Sequence, residues 1–532
     1  MSSFPKYVRF WGGVLLVVLG WGLGGVPSAH AQKEYEEWRE KQRQKYQQYL
    51  DRQDKAFLKF LKRQWKNVDV EPQMGSPIGD KPADIPTAAD EGVEQRDEEA
   101  PPQPGEETTA PPEAPKADQP NAPEPREAAR ENPTPADRAP QPQAQDPLLD
   151  RTQQGGSAGA ASTAGFAFFG VQTTVPYSSS LVPSMEGGPG KEAIRLYWRT
   201  MAKQDYTSTL EAVQARRDEM GLSDWGYYVY LRDLGNRLYE KKGRSAGSNA
   251  ATLWTWFMMM KSGYAVRVGY RENNVFLLLP VDAQIYDRPQ MYLNDRRYYL
   301  MGDESGGGSL RTYEGQHEEA DRSLSVDEQT LPDLRGTTKK RSASFSYDGE
   351  RYNIEFAYDT AVLDYLRAYP NVELRVLFRS GVSSAAQSAL KNALTPHLEE
   401  RSAREALTFL LRFVQFATKY KRDRENFGEE RYLFPEESLA VSASDCEDRA
   451  VLFAYLVRTL LDRRVVGLKW PSHIATAVKA GGGLEAAPED RTLTVDGTTY
   501  IMADPTYIGS SLGMEMPFVE GKAPEIISFD SN

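Results

Sequence analysis

The stretch Ser444-Asp445-Cys446-Glu447-Asp448-Arg449 contains the only cysteine of a 532-residue chain. An apolar run follows it (Val451, Leu452, Phe453, Leu456, Val457, Leu460, Leu461), and Ser444 with Glu447 three residues on is a capping-box pattern. The sequence therefore predicts a buried helix with Cys446 in its first turn. Backbone N–H groups and the positive dipole end at a helix start favour the nucleophilic thiolate, while the carboxylates of Glu447 and Asp448 oppose it. A thiol nucleophile also needs a base. Beyond the N-terminal segment the histidines are His317, in a charged stretch, His397, after Pro396, and His473. The first two read as surface residues. His473 follows a strand, Val465 to Trp470, and a turn at Pro471, and opens a second strand. Downstream, Asp496-Gly497 marks a hairpin turn, and the strand Tyr500-Ile501-Met502-Ala503 runs into Asp504-Pro505-Thr506, where Asp504 can hold the imidazole tautomer.

A helix beginning at Cys, a strand beginning at His and a strand ending in Asp-Pro-Thr resemble the core of the transglutaminase-like superfamily, whose fold is papain-related. The match covers roughly residues 400–510 and includes a preceding helix over 402–420 with its own Ser402 and Glu405 capping pair. The resemblance implies an α+β fold in which the Cys-bearing helix packs on an antiparallel sheet. It also implies Cys446 as nucleophile, His473 as base and then acid, and Asp504 as the orienting group. One oxyanion donor would be the Cys446 backbone N–H, with the loop Tyr432-Leu433-Phe434-Pro435 near enough in the chain to supply another.

The elements that must position these residues lie in the C-terminal two-thirds. Residues 341–532 form the expected transglutaminase-like domain, 311–340 a charged loop, and 166–310 a second α+β domain. A shift of about 200 residues places Ala265-Val266-Arg267-Val268-Gly269-Tyr270 on Val465-Val466-Gly467-Leu468-Lys469-Trp470, and Tyr299-Leu300-Met301-Gly302-Asp303 on Tyr500-Ile501-Met502-Ala503-Asp504. Read as a degenerate duplication, this puts Ala246, Ser248 or Asn249 at the Cys position and Asn273 or Asn274 at the His position, and retains Asp303.

Upstream, Lys6 and Arg9, an apolar run over residues 10–26 and the triplet Ala29-His30-Ala31 predict a secretory signal peptide over 1–31; an uncleaved membrane anchor is the alternative. Residues 32–67 carry Tyr35, Trp38, Tyr46, Tyr49, Phe57, Leu61 and Trp65 at helical spacings, which predicts an amphipathic helix suited to a protein partner. Residues 68–165 hold more than half of the chain's 34 prolines with almost no aromatic side chains, a composition that predicts a disordered linker.

Composition narrows the function classes. One cysteine excludes disulfide scaffolds and Cys-rich zinc sites, and a net charge of −12 argues against nucleic-acid binding. No His pair at helical spacing supports a metal hydrolase, and no cofactor is called for. The expectation is an exported cysteine enzyme acting on amide bonds of a protein or cell-wall peptide through a thioester, with hydrolysis favoured over amine transfer. A non-catalytic envelope scaffold is the alternative.

Overall fold

A computed structural model describes residues 29–62, 65–76, 78–88, 161–302, 307–315 and 317–529. The chain divides into two units, residues 1–64 and 65–532. The first holds one long helix, α1 (Ala29–Leu61), with Trp38 exposed. The predicted signal peptide lies, up to residue 28, outside the described residues. Among the described residues no helix is long and apolar enough to cross a membrane.

The second unit begins with β1 (Trp65–Val70), so the helix ends earlier than the spacing predicts. Trp65 packs on Tyr270 and Tyr313, and Val68 and Val70 line a sheet interior, which a helix here would forfeit. After the undescribed residues come a hairpin, β2 (Ala161–Phe168) and β3 (Val171–Ser178), and four helices: α2 (Lys191–Ala202), α3 (Thr207–Met220), α4 (Asp224–Glu240) and α5 (Asn249–Lys261). Strands β4 (Arg267–Arg271), β5 (Asn274–Pro280), β6 (Gln290–Leu293), β7 (Arg296–Met301) and β8 (Gly308–Tyr313) follow. The next stretch repeats this order. It has a hairpin, β9 (Thr338–Tyr347) and β10 (Glu350–Asp359), then helices α6 (Thr360–Arg367), α7 (Leu374–Arg379), α8 (Ser384–Leu394) and α9 (Ala403–Ala417). After β11 (Lys419–Tyr420), α10 (Asp423–Asn426), α11 (Pro435–Ala440) and β12 (Ala443–Ser444) comes α12 (Cys446–Leu461). Strands β13 (Val465–Trp470), β14 (His473–Lys479), β15 (Thr492–Val495), β16 (Thr498–Ala503) and β17 (Glu525–Ile527) close the chain.

The architecture is mixed α+β with mainly antiparallel sheets. The five-stranded sheet runs β15-β16-β14-β13-β17, and the upstream sheet runs β6-β7-β5-β4-β8-β1, the same order with one strand added. Register agrees as well. Trp470 faces His473 as Arg271 faces Asn274, and Thr476 faces Ala503 as Leu277 faces Met301. Val495 faces Thr498 across Asp496-Gly497, and Leu293 faces Arg296 across Asn294-Asp295. Both turns carry two successive positive φ angles, the backbone twist that two-residue hairpins need. The two stretches thus share strand order and strand pairing, with a register one residue away from the matches made on the sequence.

The two sheets are finished differently. Upstream, β1 pairs with β8, and Glu71 exchanges backbone bonds of 2.8 and 3.0 Å with Gln290 at the opposite edge. The sheet closes around Val70, Phe276, Leu278, Met291 and Leu300. Downstream, the matching face packs Val466, Leu468, Ala475, Ala477 and Met502 against Met516, Val519 and Ala88. Each large apolar side chain buried in this way contributes about 1.5–3 kcal/mol.

Residues 161–165 of the predicted linker lie in β2, and residues 68–76 and 78–88 are ordered rather than part of a disordered linker. Their backbone groups and side chains find partners on both sheets, which composition alone does not reveal; the rest of the predicted linker up to residue 160 lies outside the described residues. The charged loop is also more ordered than expected, since Glu328 within it is fully buried against the hydroxyls of Ser223, Tyr365 and Tyr369.

Candidate active site at the start of the buried helix

The chain reaches Cys446 through β11 and β12, a short parallel pair that sets Tyr420 beside Ser444. Ser444 bonds Thr418 side chain to side chain at 2.6 Å, so it does not cap the helix; Asp445 stands at the cap position and makes no capping bond with its side chain. The expected capping box is replaced because Asp445 and Glu447 turn their carboxylates elsewhere. The Ser402–Glu405 box on α9 does form. On α12, Cys446 is 0 % exposed, its thiol donates to Glu447 Oε2 at 3.2 Å, and the Ile474 backbone N–H is near enough to favour the thiolate. Burial pushes the thiol well above its ordinary value. The carboxylates of Glu447 and Asp445 push it further, and the Lys81 ammonium and the Ile474 N–H pull in the other direction. In this closed arrangement the helix start does not favour the thiolate, because desolvation and two carboxylates outweigh it.

His473, 1 % exposed, begins β14 one residue before Ile474. Its Nε2 lies 2.7 Å from Asp504 Oδ2, and its Nδ1 is buried without a hydrogen-bond partner. Trp470 stacks on one side of the imidazole and Phe518 meets it edge-on, which fixes the ring plane. Asp504 follows β16, and its Oδ1 accepts the N–H groups of Thr506 (2.9 Å) and Tyr507 (3.3 Å). The structure thus joins His473 directly to Asp504, while the Cys446 thiol donates to Glu447 rather than to the imidazole.

Two residues that sequence reasoning passed over hold the Asp504 loop. Gln415 Nε2 donates to Tyr507 O at 2.9 Å while its Oε1 accepts the Gly509 N–H at 3.2 Å; Arg412 donates to the carbonyls of Ser510 (2.7 Å) and Gly509 (2.6 Å). Their signal was available: two polar residues on a helix whose other buried positions are mostly apolar.

A second missed group is Lys81. Its ammonium is buried among Asp445 (2.6 Å), Glu430 (2.6 Å), Glu447 and Asp423 (3.7 Å). Burial opposes its charge, yet the Glu447 and Asp445 carboxylates prevail and hold it well above the usual lysine range. Asp448, also buried, accepts the Leu433 N–H with Oδ1 and leaves Oδ2 unpartnered. Burial, with Asp445 adding, pushes Asp423 up to about 8. Carboxylate oxygens of Asp423, Asp445 and Asp448 lie within 4.8 Å of one another, as do those of Asp423, Glu430 and Glu447, so this is where a cation can be held.

The duplicated domain supplies a natural comparison. Asn249 opens α5 as Cys446 opens α12, and its Oδ1 accepts the Val275 N–H at 2.8 Å, the strand position at which the Ile474 N–H favours the Cys446 thiolate. By strand register Asn274 stands at the His473 position and Gly302, not Asp303, at the Asp504 position; Asp303 itself lies outside the described residues. Cys, His and Asp are thus all absent from these three positions.

Other expectations change. The loop N–H groups of Tyr432, Leu433 and Phe434 are taken by Asn371, Asp448 and Glu437, so this loop has none of the three to offer an oxyanion. His317 is buried against Trp198 rather than on the surface, and burial lowers it to about 3. His397 is half-buried between Tyr352 and Phe409. In comparisons with known proteins, no family model matches the chain, and neither a curated protein nor a solved structure matches it.

Proposed function

We propose that the chain is an exported, transglutaminase-like cysteine enzyme that cleaves amide bonds of a protein or cell-wall peptide through Cys446, His473 and Asp504. The observation that supports it most is the buried His473–Asp504 pair with Nδ1 left open, one residue before the Ile474 amide that favours the Cys446 thiolate. With Nε2 committed to Asp504, Nδ1 is the atom that exchanges a proton with the reaction. The thiol proton moves to Nδ1 as sulfur attacks the substrate carbonyl. The tetrahedral intermediate collapses when the same proton passes from Nδ1 to the leaving amine, and a thioester remains on Cys446. Water, losing a proton to Nδ1, adds to the thioester; its collapse releases the acid and restores the thiol. The Cys446 backbone N–H, at a helix start, is the oxyanion donor of this reading. Amine attack in place of water would give cross-linking, and hydrolysis is favoured.

The test is reaction of Cys446 with an electrophilic thiol probe, with and without His473→Ala, in a full-chain variant whose thiol has been made accessible, followed by turnover of peptide amides. His473→Ala is expected to slow labelling by about a hundredfold or more while the fold is kept. Equal labelling of the two proteins would overturn the triad. The complete burial of Cys446 favours a second reading, a binding scaffold that retains the fold without the reaction. Absence of turnover in a variant whose thiol is accessible would select it.

A further inference from the structure

The segment over residues 71–76 and 78–88 runs from the upstream sheet past residues that flank His473, Cys446 and Asp504. It leaves the upstream sheet at Glu71, and Gly75 N–H donates to Tyr286 O. Gly79 N–H donates to Pro471 O at 2.6 Å, two residues before His473, and a Cβ on Gly79 would lie 2.9 Å from that oxygen. Lys81 then reaches Asp445 and Glu447, the two neighbours of Cys446 in the chain. Tyr420 Oη donates to Pro82 O at 2.9 Å, and Ala88 N–H donates to Ile508 O at 2.7 Å, four residues past Asp504. Such pairing of an extended segment through its backbone, with a side chain lodged in a pocket, is how grooves hold peptides.

The charge at the pocket is the second observation. One ammonium faces four carboxylates, with the unpartnered Asp448 Oδ2 beside them. Burying this surplus of acid costs folding free energy, so it is not explained as a stabilising ion pair. It does select a cation, and the cation present is a lysine ammonium, whose three donors suit several oxygens at once.

We propose that residues 71–88 are a built-in occupant of the substrate groove, and that Asp423, Glu430, Asp445 and Glu447 form the subsite for the lysine ammonium of the peptide that replaces them. The substrate half rests on the function proposed above; the occlusion half does not, because access to the thiol can be read without turnover. While the segment is seated, the thiol is buried and unreactive. Its displacement opens the groove and leaves a pocket that takes a lysine side chain next to the scissile bond.

The experiment is iodoacetamide alkylation of Cys446 in the full chain, read by intact mass, for the wild type and Lys81→Met. The variant is expected to react at least about tenfold faster while keeping its circular dichroism spectrum. Added n-butylammonium should slow it again and raise its Tm, and sodium at equal ionic strength should not. Should Lys81→Met fail to fold, Gly79→Val lifts the segment through Pro471 without touching the carboxylates and is expected to give the same acceleration. An unchanged rate in a folded variant overturns the occlusion. Restoration by calcium and not by butylammonium overturns the ammonium subsite. In the opened variant, peptides with lysine are expected to be turned over at least about tenfold faster than their norleucine counterparts, and equal rates overturn the subsite. Accelerated alkylation with no turnover of either peptide sinks the enzyme reading and leaves the occlusion standing.

Discussion

His473 Nε2 sits 2.7 Å from Asp504 Oδ2 in a fully buried contact. Asp504→Asn keeps the shape of this contact and removes the charge that stabilises an imidazolium. In the opened Lys81→Met background it is expected to lower turnover by about a hundredfold to ten-thousandfold, with little change in Tm. Turnover within a factor of a few of the parent would show that Asp504 does not orient the base.

Gln415 touches none of the three site residues by side chain, yet it ties the loop after Asp504 to α9 through Tyr507 and Gly509. Gln415→Ala should cost about 1–3 kcal/mol of stability from the buried bonds lost. A positioning role predicts more than this: kcat falling by about tenfold with KM little changed, and Gln415→Glu recovering only the contact with the Gly509 N–H. A stability loss without any fall in kcat would assign Gln415 to packing alone.

Asn249 makes two side-chain bonds, donating to Asn273 O and accepting from Val275 N, each 2.8 Å. Asn249→Ala is expected to destabilise the chain by about 1–3 kcal/mol in denaturant melts. Cys446 alkylation should be unaffected. A change in that rate would mean that the two sheets communicate.

Glu328 is buried, and burial pushes its carboxyl up to about 7 from an ordinary 4.5, with the Ser223 and Tyr365 hydroxyls pulling the other way. A carboxyl whose folded value exceeds its unfolded value stabilises the fold fully below about 4.5, and that contribution is lost as pH rises through about 7. The size is about 3 kcal/mol. Glu328→Gln should flatten this part of the stability–pH curve, and a curve of unchanged slope would sink the assignment.

Much of the site was legible because its carriers are local patterns. The strand beginning at His473, the Asp496-Gly497 turn and the strand ending before Asp504 all stand where alternation and turn chemistry put them. The apolar strands of the upstream stretch were legible, yet their matches to the downstream strands, the Asp position included, were displaced by one residue. Apolar matching does not fix register to a single residue, whereas the Leu277–Met301 pairing does. Lys81 was illegible for a different reason. It lies more than 300 residues before its partners in a Pro-rich stretch, and composition carries no information about where an extended segment docks. The charges of Glu447 and Asp448 likewise read only as opponents of the thiolate at a helix start, because sequence does not show that they face inward.

The shared amide contact of Asn249 and Cys446 has a practical consequence. Asn249 accepts the Val275 N–H at its helix start, and at the matching place the Ile474 N–H lies near enough to the Cys446 sulfur to favour its thiolate. Alanine at 446 would take this polar neighbour from the Ile474 amide and from the Glu447 carboxyl, so an alanine knockout confounds loss of a nucleophile with loss of a strut. The protein carries its own better design in the upstream half: asparagine at 446 would keep the strut and delete the reactive atom.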